Sequence, residues 1–531
     1  MYTPAMRRIL PAAVTVALAG ALLQSQTRNE KVKPFEVSET TIEQVHAAYK
    51  SGELTARRLV LAYFERIRAY DQQGPKLNAI ITLNEKALEE ADRLDGEYKR
   101  SGFVGPLHGI PILVKDEIDT AGMPTTLGSV LFKDYRPPLD AFVVARLKKA
   151  GAIILGKTTL SEFASGDTYG SLFGATRNPY DLARTVGGSS GGSGAAVTAN
   201  YSTVAVGEET AASLRRPGAW NDIVAMRPTA GLVSRTGMYD GYPSEAASMG
   251  PMARTVRDLA QLLDVMVGYD PEDPLTALGA GNGPESYSSV LDRNGLRGAR
   301  LGILREPIGT ASEPGSEDFK KVDAVFAKNI AELKAAGAVL VDPVTIPNLK
   351  ELLGKRAPNS PTTDEALRVW LARNPNSPIK TRADIQHAPE VDRIFPPTKA
   401  QIWKSPPEPV DLARWGEYEL ARRQLLIHLL KVMTDNHLDA IVTKSVEHQP
   451  TLIRDGMNPP YVTNKGVPAL NTFLVYVPAI TVPSGFTSDS LPTGITFLGK
   501  PYGDAEMIKL AYSYEQSTHH RRPPKTTPPL H

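Results

Sequence analysis

Hydrophobic and polar positions along the chain alternate between helical spacing and short apolar runs. Thr40 and Glu43 form a capping-box pattern, and apolar Ile42, Val45 and Tyr49 follow at helical spacing. A second helix is predicted after residue 55 and a third over 85–100. The beginning of the chain beyond residue 40 is therefore predicted to be helical.

Short apolar runs between the helical segments predict the strands of a sheet. Residues 112–114 form such a run, and further buried strands are predicted near 438–445 and 475–486. A long helical pattern over 317–336 precedes another short strand. Helices that alternate with buried strands indicate the α/β class, with helices packed on the faces of the sheet.

Prolines set two segments apart from this pattern. Twelve prolines fall between residues 343 and 409, a density that disfavours regular helices and central strands. We therefore expect 345–430 to be a loop-rich insertion within a main domain over 35–518. The proline-rich segment 519–531 is predicted to be a flexible tail.

Composition narrows the class of protein. With 41% hydrophobic and 22% charged residues, the chain is typical of a soluble globular protein. A net charge of +2 gives no basic excess, so a nucleic-acid partner is not expected. The chain has no cysteine, which excludes disulfides, cysteine-ligated metals and a cysteine nucleophile. The histidines show no metal-ligand spacing, so neither a metal nor a cofactor is expected.

The first 28 residues have the pattern of a secretory signal peptide. Arg7 and Arg8 precede an apolar stretch over 9–23, and Ala19 and Ala21 supply a small-residue cleavage pattern. The stretch is shorter than the roughly 20 apolar residues of a spanning helix. We expect export to the periplasm or the medium and no membrane span in the mature chain; the alternative is an uncleaved N-terminal anchor.

The stretch GGSSGGSGAA, residues 187–196, has the composition of a flexible linker but lies between segments that are predicted to fold. A phosphate-binding loop would need a lysine that is not present. A G-x-S-x-G nucleophile elbow is matched at Ser189 and again at Ser190, yet no apolar strand directly precedes it. The histidines that could complete a Ser-His-Asp triad stand in no supporting context: His387, His428, His437 and His448.

The longer segment over 177–220 resembles the amidase signature family of serine hydrolases. The family's loop G-G-S-S-G-G-S is identical here over 187–193, and its S-I-R-x-P turn corresponds to S-L-R-R-P over 213–217. The family's V-K-D strand end is found at 114–116, and 24 residues separate Ser189 from Ser213, as in the family. The resemblance extends over about 40–270 and 435–516 and is weak between 345 and 430.

The resemblance implies a fold and a catalytic triad. The fold is a mixed central β-sheet covered by helices on both faces. Ser213 is implied as the nucleophile, Ser189 as a bridging serine after a cis peptide bond, and Lys115 as the base. Because an ammonium cannot accept a proton, Lys115 has to be neutral when it reacts; we expect burial with few counter-charges to lower its pKa.

One turn departs from the family. The family's G-T-D-T-G-G-S is here G-E-E-T-A-A-S over 207–213. The resemblance implies an oxyanion hole formed by the backbone N–H groups of Thr210, Ala211, Ala212 and Ser213. Alanine keeps the N–H group but restricts φ, and Glu209 is one methylene longer than the family's Asp. Either the local backbone accommodates alanine or the hole is distorted.

The implied activity is a serine amidohydrolase that acts on a small linear amide through an acyl-enzyme, with esters and carbamates as further candidate substrates. Two alternatives remain open. One is a binding protein that has lost catalysis through the altered turn. The other is an amidotransferase-type chain acting on aminoacylated tRNA, which the export pattern and the near-neutral charge disfavour.

Overall fold

An eleven-stranded mixed β-sheet runs through the centre of the computed structural model, which describes residues 35–357, 360–404, 410–468 and 470–530. The order of its strands is β1-β3-β2-β8-β10-β9-β16-β17-β14-β11-β13, and three two-stranded sheets (β4-β5, β6-β7 and β12-β15) lie outside it. The strands are β1 Ile80–Leu83, β2 Pro111–Lys115, β3 Ile153–Thr158, β4 Tyr169–Gly170, β5 Gly174–Ala175, β6 Arg177–Asn178, β7 Asp181–Thr185, β8 Val204–Glu209, β9 Val224–Arg227, β10 Ser248–Ala253, β11 Arg300–Ile303, β12 Gly309–Thr310, β13 Val339–Val341, β14 Ala440–Lys444, β15 Val467–Pro468, β16 Ala479–Phe486 and β17 Pro492–Leu498.

Helices cover the sheet and confirm the predicted α/β class. They are α1 Ile42–Ser51, α2 Ala56–Ile67, α3 Ala87–Ser101, α4 Phe142–Lys149, α5 Gly191–Thr198, α6 Arg215–Trp220, α7 Val256–Met266, α8 Glu317–Ala335, α9 Leu349–Gly354, α10 Thr363–Arg373, α11 Arg382–His387, α12 Pro396–Lys404, α13 Leu412–Asp435, α14 Ile453–Met457 and α15 Asp504–Thr518. The first capping box forms one residue later than predicted, between Thr41 and Gln44, because the Thr41 side chain accepts the N–H of Gln44.

Two neighbouring parallel strands position the chemistry. β2 pairs with β8 in a register that sets Val114 beside Val206. Lys115 is the last residue of β2, and β8 ends at Glu209. Since the carboxyl ends of parallel strands meet at one edge of a sheet, the residues that follow both strands lie close together.

The segment 345–430 is helical, not loop-rich as predicted. The prolines that the structure describes in this segment fall between helices or in a first turn, as Pro396 does at the start of α12, where a missing N–H costs nothing. Residues 412–435 contain no proline and form the longest helix, whose Leu425 and Leu429 are buried in a core with Ile441 of β14. Proline density thus marked helix boundaries and not an absence of helices.

The C-terminal segment, predicted to be a flexible tail, is held against the body of the protein. Arg521 forms an ion pair with Glu39 at 2.8 Å. The buried guanidinium of Arg66 donates hydrogen bonds to the backbone oxygens of Thr527 and Pro528 at 2.9 and 3.0 Å. Proline has no N–H to donate, so most carbonyl groups of this segment are not used within it, and those of Thr527 and Pro528 are available to Arg66.

Glu36–His531 forms one compact unit. The predicted signal peptide over 1–28 lies outside the described residues, so export stays a prediction. Within the part of the chain that the structure describes, none of the helices is both long and apolar enough to cross a membrane.

Candidate active site

The glycine-rich stretch is packed and not a linker. Gly187 has a φ of +78°, a conformation that side chains disfavour. A Cβ on Gly192 would lie 2.3 Å from the backbone oxygen of Thr159, so only glycine fits there. Every residue from 187 to 196 is buried. The glycines therefore let backbone segments approach closely around Ser189.

Arg216 ties this loop to the turn that carries Ser213. Its guanidinium donates to the carbonyl oxygen of Gly188 at 2.6 and 3.0 Å and to that of Gly166 at 2.8 Å. It also pairs with the buried carboxylate of Asp167 at 2.8 Å. Because Arg216 belongs to α6, which begins two residues after Ser213, the two segments are held in a fixed relation.

Lys115 and Ser189 are in direct contact. The Nζ of Lys115 donates to the Oγ of Ser189 at 2.7 Å, and both residues are buried. The peptide bond between Gly188 and Ser189 is cis, as the family resemblance implied. The predicted base and bridging serine are thus placed together, although 74 residues separate them in the chain.

Ser213 lies in the turn between β8 and α6 and is partly exposed. Its carbonyl oxygen accepts the N–H of Ser190 at 3.2 Å, which places its turn against the residue that follows Ser189. The Oγ of Ser190 instead donates to the carbonyl oxygen of Glu208 at 2.9 Å, so this hydroxyl has a structural role. Among the described residues, no histidine is hydrogen-bonded to Ser189, Ser190 or Ser213, and the Ser-His-Asp alternative has no support.

The carboxylate of Glu209 holds the altered turn in place. Its Oε2 accepts the backbone N–H groups of Leu214 and Arg215, each at 3.0 Å. Its Oε1 accepts the Nε of Arg215 at 2.9 Å, in an ion pair that is almost completely buried. The extra methylene relative to the family's Asp therefore still allows the carboxylate to cap the first turn of α6.

The backbone at the predicted oxyanion hole accommodates alanine. Neither Ala211 nor Ala212 has a positive φ, and the same is true of Thr210 and Ser213. Within the described chain, the N–H groups of these four residues have no hydrogen-bond acceptor. The turn therefore presents free donors despite its departure from the family's glycines.

Two carboxylates flank Lys115, contrary to the expected scarcity of counter-charges. Its Nζ lies 2.7 Å from Oε1 of Glu117 and 2.9 Å from Oε2 of Glu208. Burial by itself would lower the pKa of Lys115, but the charges and hydrogen bonds of the two carboxylates outweigh it and raise that pKa above its ordinary value. The predicted lowering of the pKa of Lys115 is wrong in this resting arrangement.

Sequence reasoning missed both carboxylates. Glu208 was visible as the residue at the position of the family's Thr in the turn pattern, and Glu117 stands two residues after Lys115. Burial raises the pKa of Glu117 to about 8; Lys115 opposes the shift and Glu208 adds to it. Only the pairing of β2 with β8 shows that these residues share one site.

A cavity of about 160 Å³ lies beside this cluster. Its lining includes the apolar side chains of Phe163, Tyr239 and Leu367 together with charged Asp240 and Arg382. The N–H of Tyr239 donates to the backbone oxygen of Glu117 at 3.2 Å, so one lining residue of the cavity is bonded to the segment that follows Lys115. Helices α10, α11 and α12 supply one side of it, which places the helical insertion next to the site.

The described residues do not form a metal-binding site. Across the ranges that the structure describes, no three His, Asp or Glu side chains are grouped so that they could hold a metal ion.

Comparison with known proteins shows the family to which the chain belongs. The family model described as Amidase matches residues 58–508, and the chain belongs to this family. A probable amidase of Arabidopsis thaliana is 31% identical, with 96% of this chain and 97% of that protein covered. A chain of the Glutamyl-tRNA(Gln) amidotransferase of Methanosarcina barkeri is 33% identical, with 90% of this chain and 97% of that protein covered. The structure of the native peptide amidase from Stenotrophomonas maltophilia superimposes with a TM-score of 0.82 at 34% identity, covering 93% of this chain and 100% of that one.

Proposed function

We propose that the protein is a serine amidohydrolase that cleaves a carboxylic amide through an acyl-enzyme on Ser213. The observation that carries the proposal is the buried contact of 2.7 Å between Lys115 Nζ and Ser189 Oγ, next to the turn of Ser213. A serine hydroxyl needs a base to become a nucleophile, and a lysine acting through a second serine supplies one. Ser213 is the member of the three that substrate can reach, because it is partly exposed.

The proposed steps start from the contact between Lys115 and Ser189 and extend to Ser213. Neutral Lys115 takes a proton from Ser189, which takes the proton of Ser213 as its Oγ attacks the amide carbonyl. The free N–H groups of the turn over 210–213 stabilise the oxyanion, and one such donor is typically worth about 3 kcal/mol in the transition state. The proton returns to the leaving amine, and water then hydrolyses the acyl-enzyme.

Linear amides are the proposed substrate class, with peptide amides the first to test. The peptide amidase of Stenotrophomonas maltophilia supports this choice through its similarity over the whole fold. The apolar side of the cavity, with Phe163 and Tyr239, suits an aromatic or aliphatic group beside the scissile bond. Esters and carbamates remain further candidate substrates of the same acyl-enzyme chemistry.

A second candidate is a chain of an amidotransferase, which the similarity to the Methanosarcina barkeri protein favours. The two functions differ in a simple assay. A stand-alone amidohydrolase releases ammonia or amine from simple amides without a partner chain, whereas an amidotransferase chain should need its partner chains together with aminoacylated tRNA.

The test of the nucleophile is labelling with a fluorophosphonate followed by peptide mapping. We expect label on Ser213, none in Ser213→Ala, and label retained in the control Ser190→Ala, which changes the neighbouring serine of the same site. Turnover by folded Ser213→Ala near the wild-type rate would refute the proposal. Absence of label and of turnover in the folded wild-type protein would instead favour the non-catalytic binding protein.

Export remains part of the proposal. The basic residues Arg7 and Arg8 before the apolar stretch over 9–23 support it. Expression of the full chain in a Gram-negative host, with N-terminal sequencing of the periplasmic fraction, should give a protein that begins after the stretch. An intact N-terminus in the cytoplasm would contradict export, and one in the membrane fraction would favour the anchor.

A further inference from the structure

We propose that Glu117 and Glu208 act through Lys115 as positioning residues that share its protons, so that Lys115 becomes a free base by passing a proton to Glu208 while Glu117 is already protonated. This inference rests on the proposed function of Lys115. It assigns a role to two buried carboxylates that the three-residue mechanism does not use.

The ammonium of Lys115 lies against three oxygen atoms. Its three neighbours are Ser189 Oγ at 2.7 Å, Glu117 Oε1 at 2.7 Å and Glu208 Oε2 at 2.9 Å. Before Lys115 can accept the proton of Ser189, it has to lose one. The side chains of Lys115, Glu117 and Glu208 are 0%, 2% and 4% exposed, so the acceptor at hand is a carboxylate and not solvent.

The two carboxylates differ in their surroundings. Oε1 of Glu208 accepts the hydroxyl of Thr210 at 2.8 Å, so this carboxylate has a second hydrogen-bond donor besides Lys115. Oε1 of Glu117 has no hydrogen-bonded partner within the described chain beyond its close approach to Lys115. Glu117 is therefore the better place for a resident proton, and Glu208 is the acceptor for the proton of Lys115.

Charges around the cluster favour such a resident proton. Glu117 faces Lys115 and Glu208, and Asp240, which lines the cavity, interacts electrostatically with Glu208. The cations nearby are engaged elsewhere: Arg227 donates to backbone oxygens and Arg382 pairs with Asp364, while on the neighbouring strand Lys157 pairs with Asp116. Carboxylates that share a buried site with one cation cannot all ionise. The pKa of Glu117, raised to about 8, agrees with a site in which not every carboxylate is ionised.

The proton steps balance within the cluster. An N–H bond of Lys115 breaks as an O–H bond forms on Oε2 of Glu208, leaving a neutral amine between two carboxylic acids. The amine then takes the proton of Ser189, and Ser189 takes that of Ser213 as the bond from Ser213 to the substrate carbon forms. Expulsion of the leaving amine reverses each transfer, so no proton has to be released to solvent.

It follows that kcat/KM should decrease at alkaline pH, which gives its pH profile a falling alkaline limb. When Glu117 loses its proton, Lys115 lies between two negative charges and gives up its own proton less readily. With a pKa of about 8 for Glu117, kcat/KM should fall roughly thirtyfold between about pH 7 and about pH 9.5. A lone lysine base would give the opposite trend, with activity rising over this range.

Two isosteric variants test the assignment. Gln at position 117 mimics a permanently protonated acid, so Glu117→Gln should lose the alkaline limb, with kcat/KM constant within about a factor of three over the same range. Glu208→Gln removes the acceptor and should lower kcat/KM by about 10² to 10⁴ at every pH. Asp240 is a third acid near Glu117 and Glu208. Asp240→Asn is therefore the control, and its kcat/KM should still fall at alkaline pH.

The inference is overturned if Glu117→Gln keeps the wild-type limb, if Glu208→Gln keeps the wild-type rate, or if Asp240→Asn alone removes the limb. Should Glu117→Gln fail to fold, the wild-type profile decides, because activity that rises steadily through about pH 9.5 contradicts the resident proton. A readout without turnover is the infrared band of a protonated carboxyl in the Ser213→Ala protein. Burial also raises the pKa of other carboxyls, such as those of Asp71 and Asp119, so the band of Glu117 is the difference between the spectra of Ser213→Ala and Ser213→Ala/Glu117→Gln. This difference band should disappear as the pH rises; its absence at neutral pH, or a difference band unchanged by pH, overturns the inference. An active Ser213→Ala protein would instead refute the proposed function itself.

Discussion

Removal of the charge on Glu209 should affect both the stability of the protein and the geometry of its nucleophile turn. This carboxylate accepts two backbone N–H groups at the start of α6 and pairs with Arg215. The two side chains are 0% and 1% exposed, so the pair is buried. Glu209→Gln leaves the guanidinium of Arg215 without its counter-charge, and breaking a buried pair in this way costs about 3 to 5 kcal/mol.

The contribution of the Glu209–Arg215 ion pair to the loss of stability can be measured with a second variant. Chemical unfolding of the wild type, Glu209→Gln, Arg215→Met and the double variant gives the coupling between the two side chains. We expect Glu209→Gln alone to lower the free energy of unfolding by about 3 to 5 kcal/mol and the double variant to recover part of the loss. Glu209→Asp keeps the charge and should lose less.

The same variants report on catalysis. Glu209 holds the backbone that follows Ser213 and so helps to fix the position of the four free donors over 210–213. Folded Glu209→Gln should therefore show a lower kcat with a smaller change in KM, as expected when donors that act in the transition state are displaced. If Glu209→Gln kept wild-type stability and wild-type kcat, the carboxylate would not hold the turn. If the double variant were no more stable than Glu209→Gln, loss of the charge pair would not be the cause of the instability.

Three further predictions concern the same site. Lys115→Ala should lower kcat/KM for an amide by about 10² to 10⁴ and for a matched ester by less, because an alkoxide leaving group needs less protonation than an amine. An equal loss for both substrates would contradict the return of the proton to the leaving group. Gly192→Ala should prevent folding or sharply lower the midpoint of thermal unfolding, since its Cβ would lie 2.3 Å from a backbone oxygen. The control Gly416→Ala has open space around its Cβ in helix α13 and should not destabilise the protein. Treatment with EDTA should leave amide hydrolysis unchanged, and a loss of activity that zinc restores would contradict a reaction carried by side chains alone.

The sequence motifs located the parts of the site that are local in the chain. The loop around Ser189 and the turn around Ser213 each carry a recognisable pattern, and the structure brings Lys115 to Ser189 as the resemblance implied. The cis peptide bond before Ser189 was likewise implied by the resemblance. These features follow from contiguous residues whose backbone conformation the glycines and the turn restrict.

Features that depend on tertiary pairing were not predictable in the same way. Glu208 reaches Lys115 only because β8 pairs with β2 in one particular register, and 93 residues separate the two. The helices of the insertion were missed because proline was counted over the whole segment, although it interrupts helices only where it falls inside them. The order of the C-terminal segment depends on Arg66, a residue 461 positions away from Thr527.

The departure of the turn from its family pattern and the charge around Lys115 have one structural origin. Glu208 and Thr210 belong to the altered turn, and the hydroxyl of Thr210 donates to Glu208 while its N–H is one of the four free donors. The carboxylate that pairs with the base is therefore bonded to a residue of the predicted oxyanion hole. The proposed transfer of a proton from Lys115 to Glu208 would act on the base directly and on the hole through Thr210. It follows that Thr210→Val, which removes the hydroxyl and keeps the N–H, should alter the pH dependence of kcat/KM; a variant with a lower rate and an unchanged profile would show that the two halves of the site are independent.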